Sequence, residues 1–236
     1  MRASAALSAL GDSVPAGTAC DCTPYPRLTA SDIADAAGHS VTTWSDAVSG
    51  YQTDDVLDQL SSRADVDDHV RAAGVVLIEV GANDVGYSSE CGTDAHCYET
   101  RVPGVARNLA SIVARVRRLT APRRVPVVLL DYWSVWLGGR YAEAQGTAYV
   151  DAADAVTDSL GDAIQSVAHE TGSYFVDLRV AFRGPNAQWD ETHLLASDGE
   201  HPNAAGHERI AEAIARAMHG PPERPKGPLR AVPGHP

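Results

Sequence analysis

The chain has 236 residues, of which 44% are hydrophobic, and its 19 basic and 31 acidic residues give a formal net charge of −12. This length accommodates one sizeable hydrophobic core and predicts a single domain with elaborated loops. The acidic balance argues against nucleic acid or an anionic bilayer as the main partner, and no apolar run approaches the roughly 18 residues that span a membrane. A small neutral molecule is the better match for a ligand.

Strand-like and helical patterns alternate along the chain. The N-terminal "MRASAALSAL" resembles a stunted signal peptide, but its removal would delete the segment leading to Ser13, so we interpret it as the first strand. Apolar runs predict five strands at 5–10, 39–48, 74–80, 125–133 and 173–180. Apolar residues spaced three to four apart predict helices at 54–63, 102–119, 147–170 and 202–218.

This alternation predicts a doubly wound α/β domain, because strands that alternate with helices form a parallel sheet covered on both faces. In such folds ligands bind beyond the carboxyl ends of the strands. We expect one domain over residues 1–219. The remaining segment, 220–236, is rich in proline and lacks an apolar period, which predicts a flexible tail.

The four cysteines form two tight groups, Cys20 with Cys22 and Cys91 with Cys97. The second pair closes a short loop compatible with a disulfide, whereas a bridge across one residue in the first pair is strained. Pairing between the groups, or a zinc site of four cysteines, stays open, although neither group has the C-x2-C spacing of structural zinc. Disulfides would indicate an oxidising compartment and favour secretion.

Polar residues follow the predicted strands at the edge where ligands bind. Strand one leads to Gly11-Asp12-Ser13, strand two to Gly50 and strand three to "VGAND", which contains Asn83. After strand five, "SDGEHPNAAG" supplies Asp198 and His201 just before the last helix. The sequence Gly-Asp-Ser is also common in ordinary turns, so Ser13 by itself does not indicate a catalytic site. The whole set is what acyl transfer requires.

Each of these residues has a chemical role in that reaction. Ser13 needs a base to take its proton, and His201 is a suitable one near neutral pH. Asp198, three residues earlier, would orient the imidazole and stabilise its positive charge. The backbone N–H groups of Ser13 and Gly50 and the amide of Asn83 would donate hydrogen bonds to the oxyanion. Asp12 is interpreted as a brace for the turn rather than as the triad acid.

Four blocks in this order, "GDS", the glycine after strand two, "GAND" and "DGEHPN", resemble the SGNH hydrolase superfamily, the GDSL esterases and lipases. The resemblance implies Ser13 as nucleophile, His201 as base, Asp198 as third triad member, and Ser13, Gly50 and Asn83 as oxyanion-hole donors. It also implies a flavodoxin-like three-layer α/β/α sandwich with a five-stranded parallel sheet in the order 2-1-3-4-5.

The match to this pattern has two departures. Val14 follows the serine where the family name has leucine, and "YQTDD" follows Gly50 where small residues are common. The second departure bears on loop shape and substrate choice more than on catalysis. The cysteine-bearing loops resemble those of secreted actinobacterial members of the family.

The resulting hypothesis is a serine carboxylic ester hydrolase without metal or other cofactor, acting on short- to medium-chain esters. Acyl transfer to another alcohol, or thioesterase activity, would use the same residues. A catalytically silent binding module has no chemical need for the full set, and no H-E-x-x-H or similar ligand spacing indicates a metal-dependent hydrolase. The aromatic stretch "DYWSVWLGGRYAE" is either core packing or a wall of the substrate site. Oligomeric state is not predicted.

Overall fold

A computed structural model describes residues 5–219 of the chain. Its centre is a sheet of five parallel strands in the order β2-β1-β3-β4-β5. The strands are β1 (Ala5–Gly11), β2 (Val41–Ser45), β3 (Val75–Glu79), β4 (Val127–Leu130) and β5 (Tyr174–Val176). The predicted strand order is therefore confirmed.

Ten α-helices lie around this sheet within the described residues: α1 (Ser13–Ala16), α2 (Tyr25–Ala37), α3 (Thr53–Ser62), α4 (Ala64–Ala72), α5 (Ala95–Glu99), α6 (Val102–Thr120), α7 (Gly139–Glu143), α8 (Thr147–Thr171), α9 (Leu178–Arg183) and α10 (Ala204–His219). Helices α2, α9 and α10 pack together on one face, and α3, α4, α6 and α8 pack together on the other. Short 3-10 helices occur at Ala82–Val85 and Thr192–Leu194. The predicted α/β fold is confirmed.

The core lies between the sheet and the two helical layers. All five residues of β3 are buried, as expected for a central parallel strand covered on both faces. Its Leu77 and Ile78 pack with Leu7 and Leu10 of the neighbouring β1. This rigid centre fixes the positions of the loops that leave the carboxyl ends of β1 and β3.

The fold differs from the sequence prediction at the end of β5 and in six helices that were not predicted, namely α1, α2, α4, α5, α7 and α9. Strand β5 ends at Val176 instead of residue 180, because Asp177 caps α9 by accepting a hydrogen bond from the Val180 N–H at 2.7 Å. Helix α2 was not predicted, since its buried face consists of small or polar residues besides Tyr25 and Pro26. The predicted tail, 220–236, lies outside the described residues.

The cysteines pair within their groups, as Cys20–Cys22 and Cys91–Cys97, with Cα atoms 5.1 and 5.8 Å apart. Neither pairing between the groups nor a site of four cysteines occurs in this structure of residues 5–219. Across the same residues, every helix is too short or too polar to cross a membrane.

Candidate active site

Ser13 stands on a tight turn between β1 and α1. Gly11 has φ +143°, and a Cβ added there would lie 1.9 Å from the Glu79 carbonyl oxygen, so only glycine lets β1 approach β3 this closely. Asp12 then caps α1, because its Oδ1 accepts a hydrogen bond from the Val14 N–H at 3.1 Å. This contact agrees with the interpretation of Asp12 as a brace. The turn holds Ser13 at the carboxyl edge of the sheet.

His201 and Asp198 form a directly hydrogen-bonded pair. His201 Nδ1 lies 2.8 Å from Asp198 Oδ2, and Asp198 Oδ1 accepts from the N–H groups of Glu200 and His201, both at 3.0 Å. Partial burial raises the pKa of Asp198, but these hydrogen bonds outweigh it and leave the pKa below its usual value. An ionised carboxylate only accepts hydrogen bonds, so the proton of the neutral ring sits on Nδ1. The lone pair of Nε2 is then free to take a proton.

The loop that carries this pair is fixed on both sides. The Ala196 N–H donates to the His201 carbonyl at 2.8 Å, and the Asn203 N–H donates to the Leu194 carbonyl at 2.9 Å. The Asn203 side chain donates to the carbonyls of His193 and Leu195 as well. This network sets the direction in which the chain enters α10. The His201 ring is therefore presented on a braced segment.

Ser13, Asn83 and His201 line one small cavity of about 20 Å³. The structure thus brings together three of the five predicted site residues around one space, with Asp198 bonded behind His201. Gly50 does not line this cavity. It lies in the exposed turn after β2, with φ +85° and open space around its Cα. Its link to the site is indirect, through the next residue, Tyr51.

Hydrogen bonds join the Gly50 loop to the Asn83 loop. Asn83 Nδ2 donates to the Tyr51 carbonyl at 2.9 Å, and Gln52 Nε2 donates to the Asn83 carbonyl at 3.0 Å. Behind them, the Thr53 hydroxyl donates to Asp84 Oδ1 at 2.7 Å. One N–H of the Asn83 amide is used in these bonds, and the amide carries a second. The two candidate donor segments are therefore mechanically coupled.

Comparison with known proteins identifies the family. The profile of the GDSL-like Lipase/Acylhydrolase family matches residues 9–209. The chain belongs to this family. It is accordingly a carboxylic ester hydrolase, as the resemblance of its four sequence blocks implied.

Solved structures share the fold of this hydrolase. A lipase from a goat rumen metagenome is 19% identical, with a TM-score of 0.74 over 92% of this chain and 99% of its own. An acetylxylan esterase from Geobacillus stearothermophilus is 20% identical, with a TM-score of 0.63 over 94% of this chain and 98% of its own. No curated protein matches the sequence.

A buried acidic cluster lies beneath the turn that carries Ser13 in this hydrolase. Tyr132 Oη donates to Asp12 Oδ2 at 2.6 Å. Burial raises the pKa of Asp12 to about 6, although the bond from Tyr132 lowers it. Burial and the neighbouring charge of Asp12 raise the pKa of Glu79 well above its usual value. The sequence analysis missed this cluster, and its one available signal was a charged residue inside the apolar run "VVLIEV".

The aromatic stretch after β4 is buried in the core, and part of it lines the cavity at Ser13. Trp136 is buried, donates from Nε1 to the Val85 carbonyl at 2.9 Å and packs edge-on against Tyr98 at 4.7 Å. Tyr132 and Trp133 are also buried in the core, yet both line the cavity at Ser13. Core packing is therefore observed for this segment, and a wall of the substrate site stays a prediction.

A second cavity, of about 130 Å³, lies next to the first and shares Ser134 with it. Its lining mixes apolar residues with the charged Asp154, Arg183, Asp190 and Glu191, and the half-exposed Trp189 also lines it. Within residues 5–219, the one group of side chains spaced to hold a metal consists of Cys20, Cys22 and His207. None of the predicted catalytic residues belongs to that group.

Proposed function

We propose that this hydrolase cleaves esters through a covalent acyl-enzyme, with Ser13 as nucleophile, His201 as general base and Asp198 as the third member of the triad. The observation that carries the proposal is the 2.8 Å contact between Asp198 and His201 Nδ1, beside a cavity that His201 shares with Ser13. This contact fixes the tautomer in which Nε2 accepts a proton. A serine hydroxyl requires such a base to become a nucleophile.

In the first half of the reaction, His201 Nε2 takes the Ser13 proton while Oγ attacks the ester carbonyl carbon. The electron pair of the C=O bond moves to oxygen and forms a tetrahedral oxyanion. When this intermediate collapses, the alcohol oxygen leaves and takes the proton from His201. Water then repeats the sequence on the acyl-enzyme, releasing the acid and restoring Ser13. Asp198 stays ionised throughout and stabilises the imidazolium.

The oxyanion would be bound by the N–H groups of Ser13 and Gly50 and by the side-chain amide of Asn83. Such donors typically contribute about 3 kcal/mol each to the transition state. Asn83 faces the cavity beside Ser13, which supports its role. The bond from Asn83 to the Tyr51 carbonyl supports a role for Gly50, because it holds that loop next to the amide. A small shift of the loop on substrate binding would bring the Gly50 N–H to the oxyanion.

The two cavities support a short or medium acyl chain and a polar alcohol. The cavity at Ser13, with about 20 Å³, is walled by Tyr132, Trp133 and Val135 and offers little room for a long chain. The neighbouring cavity carries Arg183 and several carboxylates, which suit hydroxyl groups better than an acyl tail. The partner is therefore a small-molecule ester. The two disulfides support an oxidising compartment, and hence secretion.

The proposal is tested by hydrolysis of p-nitrophenyl esters from acetate to palmitate, with wild type and Ser13→Ala, each with and without a chelator. Chelator-insensitive turnover that falls with chain length and disappears in Ser13→Ala supports it. Undiminished turnover without Ser13 contradicts the mechanism, and a maximum at palmitate contradicts the substrate class. Absence of turnover on every ester would favour a silent binding module.

A further inference from the structure

The cavity of about 130 Å³, which we call the side cavity, is joined through its own wall to the loop that carries Asp198. Gly138 lines the side cavity, and its N–H donates to the carbonyl of Gly199, the residue after Asp198, at 2.8 Å. Ser134 lines both the side cavity and the cavity at Ser13. A molecule bound in the side cavity would therefore lie next to the candidate catalytic groups.

Trp189 forms an aromatic wall of the side cavity. A Cβ added at Gly184 would lie 2.5 Å from Cδ2 and Cε2 and 2.9 Å from Nε1 of the indole, so one face of the ring packs on the glycine backbone. Gly184 has φ +73°, and a larger residue would strain the backbone and displace the indole. The Trp189 N–H also donates to the Arg183 carbonyl at 2.9 Å. The ring is thus fixed from one side, while 56% of the residue stays exposed.

A fixed, exposed indole beside charged groups suits a ligand that is apolar on one face and polar at its rim. A rigid aromatic ring offers a large contact area at little cost in side-chain entropy, and its negative face attracts C–H groups. The C–H groups on one face of a sugar ring provide this contact, and the hydroxyl groups at the rim can both donate and accept hydrogen bonds. An acyl tail would contact the indole but leave the charged lining without polar partners.

The charges in the lining are largely paired within the protein. Arg183 Nη1 contacts Asp154 Oδ1, and Arg183 Nε lies 3.6 Å from Glu191 Oε2. Arg179 brings a second cation to 3.3 Å from Asp154 Oδ1. Glu191 is buried, and its Oε1 accepts from the Gly139 N–H at 2.9 Å. Because each carboxylate has about four acceptor positions, these pairs leave some of them for the hydroxyl groups of a neutral ligand.

Anions and metal ions fit this lining less well. The hydrogen bonds from Thr192 hold the pKa of Asp190 below its usual value, so this acid is ionised. The side cavity then has four carboxylates, including the exposed Glu143, around the single guanidinium of Arg183, and it would repel an anion. Across residues 5–219, no three of these carboxylates come close enough together to share one metal ion.

We propose that the side cavity is a sugar-binding subsite, in which one neutral pyranose ring stacks on Trp189 and its hydroxyl groups bond to the charged lining. The volume suits a single ring, since pockets that enclose drug-sized ligands have about 300–1,000 Å³. This inference rests on the proposed function, because the sugar would be the alcohol part of an ester whose acyl group lies in the cavity at Ser13. The substrate class is then an O-acylated neutral oligosaccharide.

The first experiment measures binding without turnover, by isothermal titration of the full-length Ser13→Ala variant with xylotriose, cellotriose and mannotriose. We expect at least one of them to bind with a millimolar Kd. Adding Trp189→Ala should weaken this binding at least about tenfold, and Trp189→Phe, which keeps a ring, should weaken it less. Tyr174→Ala is the matched control, because this exposed aromatic residue on β5 lines neither cavity, and it should leave the Kd unchanged.

Three results of this titration would overturn the proposal. The first is that none of the three trisaccharides binds, and the second is an equal Kd with and without Trp189→Ala. The third is tighter binding of choline or trigalacturonic acid, which would mean that the side cavity selects a cation or an anion. Circular dichroism checks that each variant is folded.

The second experiment distinguishes failure of the sugar subsite from failure of the proposed function. It compares kcat/KM for the acetylated form of the bound trisaccharide with kcat/KM for p-nitrophenyl acetate. We expect the ratio of the two to fall at least about tenfold in Trp189→Ala and to stay constant in Tyr174→Ala. An unchanged ratio in Trp189→Ala would overturn the sugar subsite but not the hydrolase. Trisaccharide binding without hydrolysis of either ester would contradict the proposed function and still support a sugar site.

Discussion

The Tyr132 hydroxyl donates a 2.6 Å hydrogen bond to Asp12 Oδ2, directly beneath the turn that presents Ser13. The other oxygen of the same carboxylate caps α1 through the Val14 N–H. Asp12 is almost fully buried, so its charge is stabilised by these two donors rather than by water. The position of Ser13 thus depends on a buried acid whose pKa is raised to about 6.

Removal of this donor should destabilise the protein in a pH-dependent way. In Tyr132→Phe the buried carboxylate loses a hydrogen bond, which should lower the free energy of unfolding by about 1–3 kcal/mol. The pKa of Asp12 in the folded protein, about 6, rises further in the variant. The loss should therefore be larger at pH 8, where the wild type has Asp12 ionised, than at pH 5. Urea denaturation at the two pH values measures it.

Tyr174→Phe is the matched control for this variant, because Tyr174 is exposed on the edge strand β5. It should change the free energy of unfolding by less than about 0.5 kcal/mol at either pH. Equal losses at pH 5 and pH 8 in Tyr132→Phe would show that the bond does not depend on the charge of Asp12.

Glu79→Gln should stabilise the protein above acid pH. The pKa of Glu79 is raised in the folded state above its ordinary value of 4.5, so the folded state keeps a proton that the unfolded state releases. The raised pKa of Glu79 therefore lowers the free energy of unfolding as pH rises above about 4.5. A glutamine at this position does not titrate and avoids this loss. We expect the variant to gain at least about 1 kcal/mol at pH 7 and much less at pH 4, by urea denaturation.

The difference between variant and wild type isolates this effect. The pKa of His207 is lowered from 6.5 to about 4, so this residue makes the free energy of unfolding rise with pH between these two values. It does so equally in the variant and the wild type. Glu170→Gln, at an exposed position in α8, is the control and should show no pH-dependent difference. A destabilised Glu79→Gln at pH 7 would mean that the carboxyl group is held by interactions that an amide cannot replace.

Most of the framework could be predicted from the sequence, because buried parallel strands have a strong local signature. The runs containing β1, β3 and β4 are apolar, so their positions in the chain and the residues that follow them could be predicted, whereas the strand order came from the family resemblance. The predicted end of β5 was wrong, because Asp177 lies inside an apolar run and its role as the N-cap of α9 is not visible in that run. Helix α2 was missed because its burial depends on packing against α10.

The candidate site also has parts that could be predicted from the sequence and parts that could not. Ser13 and Asn83 directly follow β1 and β3 at one sheet edge, so the topology places them together, whereas His201 lies beyond α9 and a 3-10 helix and was indicated by its sequence block. The cluster of Asp12, Glu79 and Tyr132 joins three distant parts of the chain, and no local pattern indicates that a carboxyl group inside β3 will be fully buried beside another. The environment of His207 likewise depends on the contact between α2 and α10.

Asp198→Asn should reduce kcat strongly without unfolding the protein. An asparagine at this position removes the charge that stabilises the imidazolium and no longer fixes the tautomer of His201. We expect kcat to fall by about 10²- to 10⁴-fold, with a much smaller change in KM. Asp32→Asn is the control, since Asp32 is an exposed acid in α2 that lines neither cavity, and it should retain near-normal kcat. Retention of kcat in Asp198→Asn would remove this residue from the triad.

Asn83→Ala should lower kcat by about 10²- to 10³-fold, because the amide donor is most valuable when negative charge develops on the carbonyl oxygen. Asn83→Asp should be at least as damaging, since an ionised carboxylate repels the oxyanion. Asn186→Ala, on an exposed loop, is the control. A rise in KM at unchanged kcat in Asn83→Ala would indicate substrate binding rather than transition-state stabilisation.

Trapping the acyl-enzyme would show whether Ser13 is the nucleophile. Wild type and Ser13→Ala would be mixed with p-nitrophenyl acetate, quenched in acid within the first turnover and digested for peptide mass spectrometry. We expect an acetyl group on the wild-type peptide that contains Ser13 and a burst of p-nitrophenol in wild type, and neither in the variant. Acetylation at another residue, or turnover with no burst and an unmodified Ser13, would contradict this expectation.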